Sequence, residues 1–388
     1  MIKRLASFQY VDKSMLAAVL ALASIGLVMM SSASIDYAAH KLNDPYYYMY
    51  RQLIFLVIAM IAAAFAFLVP TQVWYKNSWI CLLAGFLLLI LVLIPGIGRE
   101  VNGSMRWIPL GPINLQSSEL AKLFVLVYLA AYLVRRQDEV RERWRGFLKP
   151  IAVLFVMILL LLAEPDFGSA FVMIVACMGM IFLGGVGVTQ FIALIIAALF
   201  AVAYMAISSP YRLERLNCFV DPWAQAYDCG YQLTQSLIAF GRGEWFGLGL
   251  GNSIQKQFYL PEAHTDFVFA IIAEELGFVG SMVTLLLFAF LVVKILKIAL
   301  KAKSEDRLFP AYLAYGIALV MAAQVFINIG VNAGVLPTKG LTLPFLSYGG
   351  SSLIVTFIMI GILARVDFEI TCKHAISVQQ NERGRRTA

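Results

Sequence analysis

The stretch that decides the fold is Phe167–Tyr211, FGSAFVMIVACMGMIFLGGVGVTQFIALIIAALFAVAYMAISSPY, 45 residues without an Asp, Glu, Lys or Arg. A helix crosses a bilayer with about 20 apolar residues, each rising about 1.5 Å. This run is about twice that length, and Gly184, Gly185 and Gly187 lie in its middle, where glycine ends helices. It predicts two spans joined by a tight turn.

Working outward, the same test finds Ser14–Ser34, Gln52–Tyr75, Asn77–Gly98, Pro150–Ala163, Leu308–Val331 and Leu343–Ala364, and two further apolar stretches carry charges: Leu115–Val134, with Glu119 and Lys122, and Asp266–Val293, with Asp266, Glu274 and Glu275. The expectation is an all-α polytopic membrane protein with ten transmembrane helices. Composition agrees: of 388 residues 61% are hydrophobic and 14% charged, where a soluble domain has about 45–50% and about 25%. Disorder, a fibrous repeat and a small disulfide scaffold are excluded. Pro150–Ala163 is short, either a core helix or a span whose end snorkels through Lys149. The first span follows Lys3 and Arg4 and reads as an uncleaved signal anchor, because nine more spans follow it.

The net charge of +7 raises a nucleic-acid partner, but the positions of the charges point elsewhere. With ten spans, 20 of the 30 Lys and Arg fall on the side of the termini and nine on the other; Lys122 lies within a span. The positive-inside rule then places both termini in the cytoplasm. The expected organisation is a cytoplasmic N-terminus at 1–13, a membrane domain at 14–364 and a cytoplasmic tail at 365–388. A large outer loop, 208–265, separates helices 7 and 8, and a loop that long is usually functional.

That outer face carries the chemistry. Asp266 opens the eighth span and reads as either a helix cap or a general base, with Thr265 the better cap and His264 a second candidate base. Glu274 and Glu275 follow it into the span. Glu119 and Lys122, three apart, share one helix face and neutralise each other as a structural ion pair or as a polar wall of a substrate cavity. Arg106, Arg212, Arg242 and Lys339 lie in four stretches that converge in a compact bundle. Such groups hold phosphate or diphosphate, although each alone is more often a solvated or interfacial charge. Asp228–Phe240 reads as an interfacial amphipathic helix, followed by a glycine-rich run, which suits sideways entry of a lipid-linked substrate. Cys218 and Cys229 are eleven apart in the same loop, as two free thiols or a bridge. Asp367-Phe368-Glu369, on the cytoplasmic side, reads as structural. No nucleotide-binding motif or serine-nucleophile elbow is present.

Five stretches together resemble one family. They are NGSMRWIPLGPINLQSSELAKL from Asn102, PDFGSA from Pro165, GYQLTQSLIAFGRGEWFGLGLGNS from Gly230, YLPEAHTDFVFAIIAEELG from Tyr259, and NIGVNAGVLPTKGLTLPFLSYGGSSL from Asn328. The chain is similar over about residues 12–368 to the SEDS proteins (shape, elongation, division and sporulation), more to the division branch than to the elongation branch. The resemblance implies a ten-helix SEDS fold and a peptidoglycan glycosyltransferase that polymerises lipid II at the division septum of the inner membrane. It implies Asp266 as the catalytic residue, Glu119 and Lys122 in a polar cavity, and Lys339 as the lysine of the PTKG motif. It implies as partners a class B penicillin-binding transpeptidase (FtsI) and FtsQ, FtsL, FtsB and FtsN. No cofactor is required by the residues, with a divalent magnesium or manganese ion the one candidate. The chain departs from the family at Ser117 and Glu164, where the usual residues are Pro and Gln. A lipid II flippase and a non-catalytic division scaffold are the competing readings.

Overall fold

The computed structural model describes residues 10–101, 104–111, 113–207, 218–338 and 340–386, with side chains described except at 101, 110, 113, 201–206 and 373–386. In chain order the main helices are α1 (Lys13–Leu42), α2 (Tyr47–Leu68), α3 (Thr71–Lys76), α4 (Ser78–Leu93), α5 (Ser117–Arg135), α6 (Gln137–Glu142), α7 (Trp144–Ala163), α8 (Phe167–Leu183), α9 (Val188–Ile207), α10 (Tyr231–Gly243), α11 (Val268–Ser304), α12 (Leu308–Asn332) and α13 (Gly350–Arg386). Each of the ten stretches read as spans holds a helix. Among the described residues α1, α2, α5, α7, α11 and α12 are long and apolar enough to cross a membrane, while α4, α8 and the Val188–Phe200 part of α9 are apolar but shorter. The glycine turn falls where the sequence places it, with Gly185 at φ +88°.

The bundle is layered around α5 and α12, both mostly buried, with α8 against them. Nothing in hydrocarbon drives two apolar helices together except close packing, so small residues mark the contacts. At Gly361 on α13 an added Cβ would meet the Ala63 carbonyl of α2 at 2.3 Å. Pro150 lies inside α7, which starts six residues earlier than expected and so reaches 20 residues.

Two expectations need correction. The fold is not purely helical: β1 (Arg99–Val101), β2 (Ser104–Leu110) and β3 (Ile113–Gln116) form an antiparallel three-stranded sheet. Its register pairs Trp107 with Gln116 and Ile108 with Leu115. Helical hydropathy gave no warning, because the segment lies between spans and Gly111 supplies the turn. The second correction concerns α11, which is not continuous. Gly277 adopts φ +68° and ψ −165°, breaking the helix. The segment after α10 crosses the break and repairs it: Leu248 and Gly249 N–H groups donate to the carbonyls of Glu274 and Glu275, and Phe278 and Val279 N–H groups donate to those of Glu244 and Trp245. Buried backbone polar groups demand partners, and here a second chain segment supplies them.

The carboxylates beside the break are tied in as well. Glu274 accepts from the Ser253 hydroxyl and from the Ile254 and Gln255 N–H groups, and forms an ion pair with Arg242. Glu275 accepts from Ser32 and from Lys256, whose Nζ lies 2.9 Å away. A disulfide joins Cys218 and Cys229 just before α10.

Candidate functional site

The sheet, the turn before α11, and the loop between α12 and α13 enclose a cavity of about 540 Å³. That is within the usual range for a small-molecule site, roughly 300–1,000 Å³. Arg106, Trp107, Asn114 and Gln116 reach it from the sheet, Glu119 from α5, Gln232 from α10, and Glu262, Thr265 and Asp266 from the turn. Arg51, Phe55, Thr338, Gly340, Thr342 and Tyr348 are also part of the wall. Ser351 fixes the sheet to the start of α13: it accepts from Gln116 N–H at 3.0 Å and donates to the Asn114 carbonyl at 2.8 Å.

Asp266 does not cap α11. The N-cap position is Phe267, without a side-chain cap, and the Thr265 hydroxyl donates to Glu262 instead, so Thr265 is not the cap either. Turn geometry is set by the Glu262 carbonyl, which accepts from the N–H groups of Thr265, Asp266 and Phe267. Asn328 and Asn332, one turn apart on α12, both donate to the Asp266 carbonyl, at 2.9 and 3.0 Å. Asn332 also accepts from Ala270 N–H. The backbone is therefore held from both sides while the carboxyl faces the cavity, close enough to Gly340 that a Cβ there would meet Oδ2 at 2.9 Å. Burial, and next the Glu262 charge, push the Asp266 carboxyl up to about 7 against the opposing pull of Arg106.

The predicted site residues separate. Asp266, Arg106 and Glu119 share the cavity. Lys122 lies fully buried behind Glu119, its Nζ 2.9 Å from Glu119 Oε1. Arg242 is not at the cavity; its Nε is 3.1 Å from Glu274 Oε1, in the brace around the α11 break. Arg212 and Lys339 lie outside the described residues, although Thr338 and Gly340 on either side of Lys339 line the wall. His264 is buried among Tyr37, Tyr48 and Tyr348, with burial lowering its basicity, and does not line the cavity.

Sequence reasoning missed Arg51, whose Nη1 donates to the Tyr47 hydroxyl at 2.8 Å while its guanidinium stacks over Tyr47 and Phe55. Its place just before a charge-free run was the available signal. It also missed Tyr348, Gln232 and the two asparagines, whose roles depend on folding. Chemically, the cavity combines a carboxylate poised near neutrality with cationic Arg51 and Arg106 and aromatic Trp107 and Tyr348. That suits a polar, anionic substrate bearing sugar rings.

The comparisons with known proteins decide the family. The family model for FtsW, RodA and SpoVE, described as cell cycle protein, matches residues 12–371. The chain belongs to this FtsW/RodA/SpoVE family. It is 54% identical over 358 residues to a probable peptidoglycan glycosyltransferase FtsW of Pseudomonas fluorescens, covering 92% of this chain and 88% of that protein. A protein of the same description from Hahella chejuensis is 53% identical over 372 residues, 96% and 92% of the two chains. Among solved structures, a chain of a peptidoglycan synthase complex that coordinates polymerization and crosslinking superposes with a TM-score of 0.78 at 30% identity, over 93% of this chain and 98% of that one. The rod shape determining protein RodA of Thermus thermophilus gives 0.69 at 28% identity, over 92% and 96%.

Proposed function

We propose that this chain, a peptidoglycan glycosyltransferase by its family, polymerises lipid II at the cavity around Asp266. The observation that carries the reading is the Asp266 carboxyl, backbone-clamped by Asn328 and Asn332 and facing a cavity with Arg106. Asp266 takes the proton of the GlcNAc 4-hydroxyl on an incoming lipid II. That oxygen bonds to the anomeric carbon of the growing glycan as the bond to the diphosphate oxygen breaks, and undecaprenyl diphosphate leaves. The proton passes from Asp266 to water. Arg51, Arg106 and Lys339 offset the leaving charge, while Glu119 and Lys122 form the polar floor. Arg212 is assigned to the same diphosphate-binding face. Arg242 is assigned to holding α10 and α11 together.

Among the described residues no group of three or more His, Cys, Asp or Glu is placed to hold a metal ion. A magnesium or manganese ion, where one takes part, would help the cations of this face offset the charge of the leaving diphosphate. The proposed topology is ten spans with both termini cytoplasmic and the cavity outside, in the inner membrane at the septum. The proposed partners are the transpeptidase FtsI and FtsQ, FtsL, FtsB and FtsN.

The test is reconstitution with labelled lipid II, with and without the transpeptidase. General base help is worth about 10²–10⁴-fold, so Asp266→Ala should lose polymer on a gel by about that factor while its melting temperature holds. Undiminished polymer would remove Asp266 from the role.

A further inference from the structure

Behind the cavity wall, Ser117 and Glu164 meet. The Ser117 hydroxyl donates to Glu164 Oε2 at 3.0 Å, and both residues are fully buried. They are the two positions noted above as departures, one opening α5 and the other closing α7. Three polar atoms at this spot are buried and unpartnered: Glu164 Oε1, Asp166 Oδ2 and Arg106 Nε. Buried polar atoms rarely remain so. The Arg106 Nη2 is spent on Ser104 Oγ and the Pro165 carbonyl, at 2.9 and 3.0 Å, and its Nη1 stands 3.9 Å from Asp166 Oδ1. Arg106 therefore keeps a buried, unpartnered Nε–H near two carboxyl groups with unpartnered oxygens, while the same residue lines the cavity.

We propose that Ser117 and Glu164 form a positioning pair that sets where Arg106 points: toward the cavity while Glu164 is neutral, inward once Glu164 ionises. The proposal rests on the reading of the cavity as the transferase site. The charged or titratable groups facing Glu164 are Asp166 at the start of α8 and Arg106 on β2, with the Ser117 hydroxyl from α5. Arg106 is the one cation among them. A buried carboxylate without a counter-charge is costly, so ionised Glu164 takes the guanidinium, and the cavity loses it. Burial pushes the Glu164 carboxyl up to about 8; the Ser117 hydroxyl opposes this, Asp166 adds to it, and Arg106 opposes it.

The experiment measures lipid II polymerisation by the reconstituted full chain at pH 7 and 9, with fluorescence melting at both values as a fold control. In the wild type, ionisation of Glu164 removes about tenfold across this interval and completed ionisation of Asp266 restores about twofold, a net fall of about fivefold. Glu164→Gln keeps an acceptor for Ser117 and cannot ionise, so its rate should instead rise about twofold. Ser117→Ala deletes the donor that favours the anion, so the alkaline fall should move to higher pH. Equal pH 9 to pH 7 ratios in wild type and Glu164→Gln would overturn the proposal. If Glu164→Gln does not fold, an unmoved alkaline midpoint in Ser117→Ala would overturn it. Full activity of Asp266→Ala in the same assay would instead sink the transferase site itself.

Discussion

Asp266 shows what one residue owes to its surroundings. Its identity as an acid is written in the chain, and its place in the HTDF stretch marks it. Its working pKa is not written there. Burial and the neighbouring Glu262 carboxylate raise it to about 7, and Arg106 pulls it down. A general base acts in its ionised form, so polymerisation should climb as pH rises through about 7, one proton per turnover-competent site. Glu262→Gln removes a negative charge that disfavours ionisation, so the acidic midpoint should move to lower pH. Initial rates between about pH 5 and 8 would check both; a wild-type rate flat across that range would contradict the assignment. The asparagines are the opposite case. Asn328 and Asn332 are quoted in a motif, but that they grip the Asp266 carbonyl follows only from α12 lying beside the turn.

Among the elements, α11 is the most informative. Its apolar pattern reads as one helix, and the break at Gly277 is invisible to it, because the partners that make the break tolerable are residues 244–249, far from any helical period. A side chain at Gly277 faces two penalties. The conformation is left-handed, and a Cβ would meet Gly247 N at 2.3 Å. Strain of this kind costs about 1–3 kcal/mol, so Gly277→Ala should lower the melting temperature of the detergent-solubilised protein. An unchanged melting curve would show that the crossing adapts. The sheet between α4 and α5 is another element that span-finding passes over. It matters because Arg106 and Gln116 reach the cavity from it. Of the amphipathic segment near 228–240, the structure keeps a helix, α10, but buries Leu233 and Ala239 against protein, with Ser236 donating to the Asn332 carbonyl at 2.7 Å.

At the scale of the whole molecule, the end opposite the cavity is stitched by ions. Asp367 accepts from Asp12 N–H at 2.8 Å and faces Lys301, while Asp12 pairs with Lys294. Glu369 caps α3 through Thr71 N–H and meets Arg365 and Arg307. The Asp367-Phe368-Glu369 motif thus joins α1, α3, α11, α12 and α13, as its structural reading requires. A flippase has to open this end; a polymerase does not. Asp367→Asn should therefore lower the melting temperature and leave lipid II polymerisation within about twofold, because sites far apart without shared partners act nearly independently. In liposomes the wild-type chain should make polymer without moving fluorescent lipid II across the bilayer, and rapid translocation would favour the transporter.

The sequence by itself determined the helical membrane class, the positions of the apolar stretches, the family and the acid at its centre. Those properties are local: hydrocarbon solvates each helix on its own terms, and a motif is contiguous. Tertiary structure alone decided the rest. It brought Arg51, Arg106, Glu119, Asp266 and Tyr348 to one cavity from five separate segments, sent Arg242 to Glu274 instead, and broke α11 where another segment could satisfy it. The physical reason is that proton affinity, ion pairing and backbone satisfaction depend on distances between residues remote in sequence, and only folding sets those distances.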